Sequence, residues 1–435
     1  MAVLSRAVSL VRAPSPSKVF YGWWIVGAGV VIQALVSGLF MQAYGAYVVL
    51  LRNEFGWSKT VLSAAYSMSQ AESGVAGPVQ GWLTDRFGPR AVIRAGLVIL
   101  GIGLVCFSMV QDMLTFFLAF VVIAVGVSLS GFLSLTVAVV NWFERRRATA
   151  LGMLSIGVAL GGFSVPLTVW GLESLGWRTM AVVSAGLITG IGLVCAQFIR
   201  GRPEDYGMAV DGARPALAGA GPAAGPHAPR TSARPGDFTV GQAMRTRQFW
   251  FISFGHGAAL LIVSAVTVHL VAHVHENLGY SLGQASFVIT VLTMAQVVGT
   301  LSGGALGDRF NKRLIATFCM FIHAGALLLL AFATTFWMVM IFAVFHGWAW
   351  GTRGPLMAAI RADYFGRGSF GAIMGASQPI IMVGMTGGPI LAGYLADRTG
   401  NYESGFTILA ALAAVGSVFF ILATKPAPRP AATAD

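Results

Sequence analysis

One ten-residue motif decides the fold because it occurs twice: residues 81–90 read GWLTDRFGPR, and residues 304–313 read GALGDRFNKR. The two copies are 223 positions apart, and the same shift aligns GWS at 56–58 with GYS at 279–281 without a gap. Self-similarity at a fixed spacing is the signature of an internal repeat. The sequence therefore predicts two equivalent halves.

The composition indicates that lipid surrounds most of the chain. Only 10% of the 435 residues are charged, against about 25% in soluble proteins, while 56% are hydrophobic and the mean hydropathy is +0.76. So few charges cannot cover a soluble surface, whereas one membrane crossing needs about 20 apolar residues. Twelve apolar stretches are present, six in each half. They run over residues 20–42, 60–82, 94–111, 114–140, 149–170, 179–199, 248–272, 284–306, 314–334, 337–360, 369–395 and 405–424.

The basic residues are distributed unevenly between the loops. The formal net charge is +12, and, with a cytoplasmic N-terminus, 23 of the 28 Lys and Arg residues lie on the cytoplasmic side. Cytoplasmic loops are enriched in Lys and Arg, so both termini are predicted to be cytoplasmic. Topology explains the basic charge, and no nucleic-acid partner is expected. The three cysteines lie apart in apolar runs, which excludes a disulfide scaffold.

A polar segment separates the halves. Residues 201–236 are rich in Pro, Ala, Gly and Arg and cannot bury enough apolar surface to fold. Thr239 and Gln242 have capping-box spacing, which predicts a short surface helix before the seventh span. The predicted divisions are a cytoplasmic tail (1–19), an N-terminal half (20–200), a cytoplasmic linker with its short helix (201–247), a C-terminal half (248–424) and a second cytoplasmic tail (425–435).

The repeated motif and the twelve-span plan together resemble the major facilitator superfamily over residues 20–424. More narrowly, four motifs resemble its monocarboxylate and oxalate/formate transporter branch. The resemblance implies an all-α membrane protein with twelve transmembrane helices in two six-helix halves and a mid-membrane site between them. It also implies transport of small carboxylates, with a proton or by exchange. The four motifs are YGWW at 21–24, FGWS at 55–58, DRFGPR at 85–90, and the segment from FT at 238–239 to RQFW at 247–250.

The chain departs from that branch in two spans. Relatives usually hold a cationic side chain in the eighth span, and some hold another in the eleventh, to meet the substrate carboxylate. Here residues 284–306 contain no Lys or Arg, and the eleventh span contains none before Arg398. A cation that meets a carboxylate has to come from another span.

Arg353, in the tenth span, is the candidate for the substrate-anion site. It lies in WGTRGP at 350–355, about eight residues from the cytoplasmic end of its span, which is roughly 12 Å at the helical rise. Two glycines and a proline are expected to interrupt the helix there, which is tolerated only beside protein or a water-filled cavity. A guanidinium can hold a carboxylate through two parallel hydrogen bonds. The alternatives are a structural ion pair and a side chain that snorkels to the membrane surface.

Glu72 is the candidate for proton coupling. It lies about eleven residues into the second span, roughly 16 Å deep and near the middle of the bilayer. Removal from water disfavours the charged form of a carboxyl group, unless a cation balances it. Such a group suits a proton carrier that changes protonation between two states of a transporter. The alternatives are a permanent hydrogen bond to neighbouring helices and an ion pair with Arg353.

Other polar side chains on apolar helices are candidates for lining the site. His256 is the best placed of the histidines, since the seventh span lines the cavity in the family that the chain resembles. Any one of these side chains can instead hold two helices together. The remaining candidates for substrate binding are Gln33, Tyr44, Gln70, Gln296 and Gln378.

The charges of the repeated motif are expected in short cytoplasmic loops. The resemblance implies that they form an ion-pair latch between helix ends, which holds one state and breaks during alternating access. The alternative is a pair of solvated loops. The predicted latch residues are Asp85, Arg86 and Arg90 with their repeat equivalents Asp308, Arg309 and Arg313.

The sequence thus predicts a secondary active transporter for a small organic anion, proton-coupled or exchanging, that works by alternating access. Efflux of drugs or metabolites is the alternative within transport, and a non-transporting membrane sensor is the alternative outside it. No enzyme is expected, because nucleophile elbows, metal clusters and phosphate-binding loops are missing, and neither a cofactor nor a metal is expected. The expected partners are the anionic substrate, protons or a counter-anion, and the lipid bilayer. The excess of Arg over Lys and the lack of Asn-x-Ser/Thr sequons favour a bacterial inner membrane.

Overall fold

The computed structural model describes residues 19–57, 59–212 and 237–426, apart from the side chains of some helical residues, chiefly 59–67 and 69–71. The regular secondary structure of these ranges is helical, and they contain no strand. The tails that the sequence predicts, up to residue 18 and from residue 427 onward, lie outside the described residues, as does most of the predicted linker, 213–236.

Twelve long helices account for the twelve apolar stretches. The first is extended by a π-helical turn, Ser37–Met41, and is followed by a shorter helix, Tyr44–Phe55. The fourth is continued by Phe132–Trp142 after a break at Gly131. The helices are α1 (Tyr21–Val36), α2 (Lys59–Phe87), α3 (Pro89–Ser108), α4 (Met113–Ser130), α5 (Arg147–Leu175), α6 (Trp177–Phe198), α7 (Arg247–Ala272), α8 (Leu282–Arg309), α9 (Lys312–Ala331), α10 (Phe336–Phe365), α11 (Phe370–Thr399) and α12 (Glu403–Leu422).

Ten of the described helical segments are long and apolar enough to cross a membrane. The two predicted spans that fall outside this group coincide with α2 and α10. These helices carry Glu72 and Arg353, the two charges that the sequence places deepest in the bilayer. The all-α membrane fold is confirmed.

One expectation about the tenth helix, that it is interrupted, is wrong. The sequence predicts an interruption at WGTRGP, yet α10 is continuous over 30 residues, with Pro355 inside it. Gly351 serves close packing instead, because a Cβ atom there would lie 1.9 Å from the carbonyl oxygen of Gln296 in α8. At Gly351, α8 packs directly against the backbone of α10.

Two short elements flank the part of the linker that is not described. Before it, residues Pro203–Tyr206 and Val210–Gly212 form 3-10 turns. After it comes the helix Val240–Met244, where the hydroxyl of Thr239 accepts from the N–H of Gln242 and the Gln242 side chain accepts from the N–H of Thr239. The Phe238 N–H donates to the carbonyl oxygen of Phe365 at 2.9 Å. The end of the linker is thereby fixed to the end of α10.

The two halves meet along glycines in two repeat-related helix pairs. In the pair α2 and α11, a Cβ atom on Gly81 would lie 2.1 Å from the carbonyl oxygen of Gly371. In the pair α5 and α8, a Cβ atom on Gly304 would lie 2.9 Å from the Cα atom of Thr149. Small residues allow such backbone approach in membrane proteins. Both contacts lie near the helix ends that carry the repeated motif, and we call this end of the molecule the motif face.

Candidate functional site

Arg353 lies fully inside the protein, with 1% of its surface exposed. Its Nε and Nη1 atoms are buried and make no hydrogen bond within the part of the chain that the structure describes. The preceding residue fixes the helix, because the hydroxyl of Thr352 donates to the carbonyl oxygen of Gly299 in α8 at 3.1 Å. The guanidinium therefore occupies a rigid position with hydrogen-bonding capacity to spare.

Two buried histidines form a contact between α9 and α10. The Nδ1 atoms of His323 in α9 and His346 in α10 are 3.1 Å apart, so one ring donates the shared hydrogen and the other accepts it. Both rings are fully buried, and their Nε2 atoms have no partner among the described residues. The charge of Arg353 acts on both rings. The sequence singles out His256 among the histidines and gives no sign of this contact.

Arg361 is a second buried arginine on α10. It is 0% exposed, its Nη1 atom donates to the carbonyl oxygen of Met357 at 3.0 Å, and its Nε and Nη2 atoms have no partner in the described ranges. The apolar stretch ends at residue 360, so the sequence predicts that Arg361 lies in the cytoplasmic loop that follows the tenth span. The helix continues to Phe365 instead, and this turn carries Arg361 into the protein.

His256 is a half-buried residue of α7. Its Nδ1 atom is buried and has no hydrogen-bond partner among the described residues. The charges of Arg361 and Arg353 both act on its ring. The structure thus brings together three residues that the sequence treats separately: a predicted lining residue, the predicted anion-binding residue and an arginine assigned to a loop.

Glu72 is half-buried in α2 and belongs to the other half of the molecule. The hydroxyl of Ser73 lies 3.5 Å from its Oε2 atom. No ion pair joins Glu72 to Arg353 among the described side chains, whose ion pairs involve other residues. The two deep charges are therefore separate features of the site in this structure.

The other predicted lining residues are spread over several helix contacts. Gln33 is buried, and its Cβ atom lies where α1 approaches Gly157 of α5. Gln378 of α11 packs against Gly77 of α2, across the boundary between the halves. Tyr44 is buried in an aromatic cluster, 5.2 Å from the ring of Phe120. Gln296 is half-buried in α8, and the side chain of Gln70 lies outside the described part.

The two aspartates of the repeated motif make equivalent contacts between the halves. The carboxylate of Asp85 accepts from the N–H groups of Gly371 at 3.0 Å and of Ala372 at 2.8 Å, in the first turn of α11. The carboxylate of Asp308 accepts from the corresponding groups of α5, at 2.8 and 3.0 Å. Burial raises the pKa of Asp85, which lies past the membrane-spanning stretch 60–82, to about 6.

Two arginines of the motif, Arg90 and Arg313, form hydrogen bonds within their own halves. Arg90 donates to the side-chain oxygen of Gln197 at 2.8 Å, at the end of α6, and Arg313 donates to the carbonyl oxygen of Ile421 at 2.9 Å, at the end of α12. Arg86 lies over the Trp82 ring, 5.2 Å from its centroid, and Arg309 is exposed. The contacts between the halves at this motif are thus made by aspartates and helix N-termini.

Ion pairs that the sequence analysis did not anticipate surround these contacts. Asp363 pairs with the buried Arg147 across the halves, and also with Lys312 at 2.7 Å. Glu204, at the start of the linker, pairs with Arg367 at 2.8 Å. A cavity of about 680 Å³ opens beside Asp363, Arg147 and Lys312. The motif face is therefore closed by several polar contacts at once.

These features define a class of protein. Two repeated helical halves meet along glycines, close at one face through matching aspartate contacts, and enclose two buried arginines that have N–H groups without a partner among the described residues. Parallel repeats of this kind are a transporter architecture. The protein is a multi-pass membrane transporter built from two six-helix halves.

Comparison with a family model supplies the particular family. The model described as Major Facilitator Superfamily matches residues 30–271 and again residues 252–435. The chain belongs to the major facilitator superfamily, whose members are transporters and not enzymes.

Similar proteins narrow the relationship further. The chain is 24% identical to monocarboxylate transporter 13 of Rattus norvegicus, over 94% of this chain and 90% of that protein. It is 24% identical to the oxalate:formate antiporter of Oxalobacter formigenes, over 79% and 78% of the two chains. The solved structure of the human organic anion transporter MFSD10 (TETRAN) matches with a TM-score of 0.69 at 14% identity, over 93% of this chain and 100% of that chain. The chain is related to monocarboxylate and oxalate/formate transporters.

Proposed function

We propose that the protein is a secondary active transporter of a small organic anion of the monocarboxylate type, driven by a proton or by exchange. One observation carries the proposal: Arg353 is buried in a membrane-spanning helix, and its Nε and Nη1 atoms have no partner in the described part of the chain. The relatives named for monocarboxylate and oxalate:formate transport support the same substrate class.

The energetics favour a bound anion at Arg353. A charged side chain at the centre of a membrane helix costs at least about 2.5–3.5 kcal/mol on insertion scales. A carboxylate offsets this cost because it supplies both a counter-charge and acceptor oxygens in the geometry of the guanidinium. The eighth span, which carries the cation in similar transporters, has no Lys or Arg before Arg309. Arg353 takes that role in this chain.

Transport proceeds by alternating access between the two halves. In this proposal both termini and the motif face lie in the cytoplasm of a bacterium, so the contacts of Asp85 and Asp308 hold the cytoplasmic side closed while the outer side admits the anion. Glu72 carries the coupling proton, since it is a half-buried carboxyl group in the half opposite Arg353. Gln33, Tyr44, Gln70, Gln296 and Gln378 are assigned to shaping the path, with His256.

The test uses purified full-length protein in liposomes with an imposed inward proton gradient. Uptake of labelled monocarboxylates and dicarboxylates is measured for the wild type, for Arg353→Ala and for Arg52→Ala, which removes an exposed arginine. We expect saturable uptake of at least one carboxylate by the wild type and the Arg52→Ala control. The Arg353→Ala variant should lose it by more than about tenfold, since a bidentate charged contact contributes about 1.5–3 kcal/mol.

Two results would overturn the proposal. Uptake by Arg353→Ala at the wild-type rate and affinity removes the anion role of this residue. If the folded wild-type protein takes up no carboxylate in either direction of the gradient, the proposal is replaced by efflux of other solutes or by sensing without transport.

A further inference from the structure

An aromatic contact joins α7 and α10 at the motif face. The ring centroids of Phe249 and Phe365 are 6.4 Å apart, and Phe365 also packs against Phe238, with centroids 5.6 Å apart. All three rings are buried. Because α7 begins at this face and α10 ends there, the two helices run antiparallel from the contact. A residue one helical turn after Phe249 in α7 therefore lies at the level of a residue one turn before Phe365 in α10.

This register brings polar side chains together beneath the aromatic contact. Ser253 is one turn after Phe249 and Arg361 is one turn before Phe365. His256 is three residues after Ser253, so the two side chains lie on the same side of α7. Arg353 lies two further turns back along α10, about 12 Å from Arg361 at the helical rise. The register places His256 between the levels of the two arginines.

Each of these four side chains keeps an unused hydrogen-bonding atom. Ser253 and Arg361 are 0% exposed and Arg353 is 1% exposed. No described carboxylate forms an ion pair with either arginine, since the ion pairs among the described residues belong to other side chains. The buried atoms without a partner in the described ranges are Ser253 Oγ, His256 Nδ1, Arg353 Nε and Nη1, and Arg361 Nε and Nη2.

The direction of Arg361 is unusual for an arginine near the end of a membrane helix. Such side chains ordinarily extend towards the membrane surface and water. Here Nη1 donates to the carbonyl oxygen of Met357, one turn further from the motif face, at 3.0 Å. The guanidinium therefore points into the protein, towards Arg353, and the charges of both arginines act on the His256 ring. Two buried like charges on one helix, each with N–H groups that lack a partner among the described residues, call for a counter-anion.

We propose that Ser253, His256 and Arg361, with Arg353 at the inner end, form a binding site for a small monovalent anion of halide or carboxylate size. The serine hydroxyl and the guanidinium N–H groups donate to the anion, and His256 donates through Nδ1. Phe249 and Phe365 separate the site from the motif face. The inference goes beyond the proposed function, because a resident inorganic anion satisfies these groups as well as the carboxylate of a transported substrate.

The experiment measures anion binding without transport. Purified full-length protein in detergent is kept in sodium HEPES, whose anion is bulky, and chloride or acetate replaces it at constant ionic strength while Tm is recorded. We expect a saturable rise in Tm for the wild type. Arg361→Gln should weaken the apparent affinity by about tenfold or more, as loss of a charge-assisted hydrogen bond predicts. The matched control Arg52→Gln, at an exposed position, should respond as the wild type does.

Ser253→Ala provides a second variant that keeps both charges and the helix packing, in case Arg361→Gln fails to fold. It should weaken the anion response by about threefold to tenfold, because one neutral donor is lost. If acetate and chloride compete, the site also binds the carboxylate of a substrate. If Tm responds to chloride alone, the site holds a resident inorganic anion. Both outcomes support the site.

The site is refuted by a wild type that gives no saturable response to either anion, or by an unchanged response in both variants. This failure is distinct from failure of the proposed function. Carboxylate uptake by a protein without an anion response overturns the site alone. An anion response in a protein that transports no carboxylate overturns the transport proposal alone.

Discussion

Asp85 and Asp308 make the same contact in the two repeats, each with the opposite half of the protein. Asp85 accepts from two N–H groups in the first turn of α11, and Asp308 accepts from two in the first turn of α5. The N-terminus of a helix carries partial positive charge and free N–H donors, so a carboxylate there is stabilising. Closure of the motif face therefore depends on two equivalent contacts, one on each side of the repeat axis.

Removing either carboxylate should weaken closure. Asp85→Ala or Asp308→Ala leaves two N–H groups without their acceptor, at a cost of about 1–2 kcal/mol, which is about a 5- to 30-fold shift in the conformational equilibrium. Distances between spin labels on the two halves should show a larger open fraction in each variant. Asp112→Ala is the control, because Asp112 caps only its own helix, α4. Unchanged distance distributions in both variants would contradict the assignment.

Closure should also strengthen as the pH falls. Burial raises the pKa of Asp85 from 3.8 to about 6, although the N–H groups of Ala372 and Gly371 act in the opposite direction. In the open state the carboxyl group meets water and returns to its ordinary pKa of about 3.9, so the closed state binds the proton more tightly. The population of the state in which the pKa is raised increases as the pH falls through that pKa. The closed fraction should rise between about pH 7.5 and pH 5, and Asp85→Ala should lose that part of the dependence.

A methyl group at the contact between the halves should prevent closure. The Cβ atom of Gly81→Ala would lie 2.1 Å from the carbonyl oxygen of Gly371, and a backbone atom cannot turn aside as a side chain can. We expect the same spin-label distances to show the open form, and transport to fall by more than about tenfold, as for a steric block worth over 1.4 kcal/mol. Gly186→Ala is the control, since no atom lies within 4 Å of a Cβ atom there. A closed Gly81→Ala protein would show that the approach of α2 and α11 is looser than described.

Asp363→Asn should destabilise the protein more than Lys312→Gln does. Asp363 neutralises Arg147, whose side chain is 4% exposed, whereas Lys312 is 18% exposed and nearer to water. A buried charge that loses its partner costs several kcal/mol, which we reduce to about 1–3 kcal/mol because Asp363 is itself partly exposed. Thermal unfolding in detergent should show the larger fall in Tm for Asp363→Asn. An equal fall in Tm for the two variants would mean that another group neutralises the charge of Arg147.

Glu72→Gln tests the coupling role. An amide of the same shape keeps the packing of α2 but cannot carry a proton, so uptake should no longer respond to the proton gradient, while exchange of labelled for unlabelled substrate continues. Initial rates are compared across pH in liposomes that contain the variant or the wild type. Glu173→Gln, at an exposed position of α5, serves as the matched control. Gradient-driven accumulation by Glu72→Gln at the wild-type level would remove the coupling role.

The sequence predicted the architecture because periodic apolar stretches and a repeated motif report directly on membrane solvation and on duplication. All twelve stretches correspond to long helices, and the family follows from the motif. The shared position of Asp85 and Asp308 was also predictable from the repeat. Their partners were not, since a backbone N–H group leaves no mark in the sequence.

The surroundings of Arg353 could not be predicted from one chain. The contact of His323 with His346 joins residues 23 positions apart on two helices, and only the rotation of those helices brings the rings together. The predicted tenth span ends at residue 360, just before Arg361, because the apolar stretch ends there, whereas packing carries the helix on to Phe365. The spacing of Arg353 and Arg361 on one continuous helix was the available signal.

The polarity of α2 and α10 has a consequence for biosynthesis. A segment partitions from the translocation channel into lipid by itself only when it is sufficiently apolar, and a charge near the centre of the helix opposes this step; α2 carries Glu72, and α10 carries Arg353 and Arg361. Each must therefore enter the bilayer together with apolar neighbours that emerge from the ribosome just before or after it. Substitutions at their helix contacts will act on the yield of correctly inserted chains before they act on the turnover of the finished transporter.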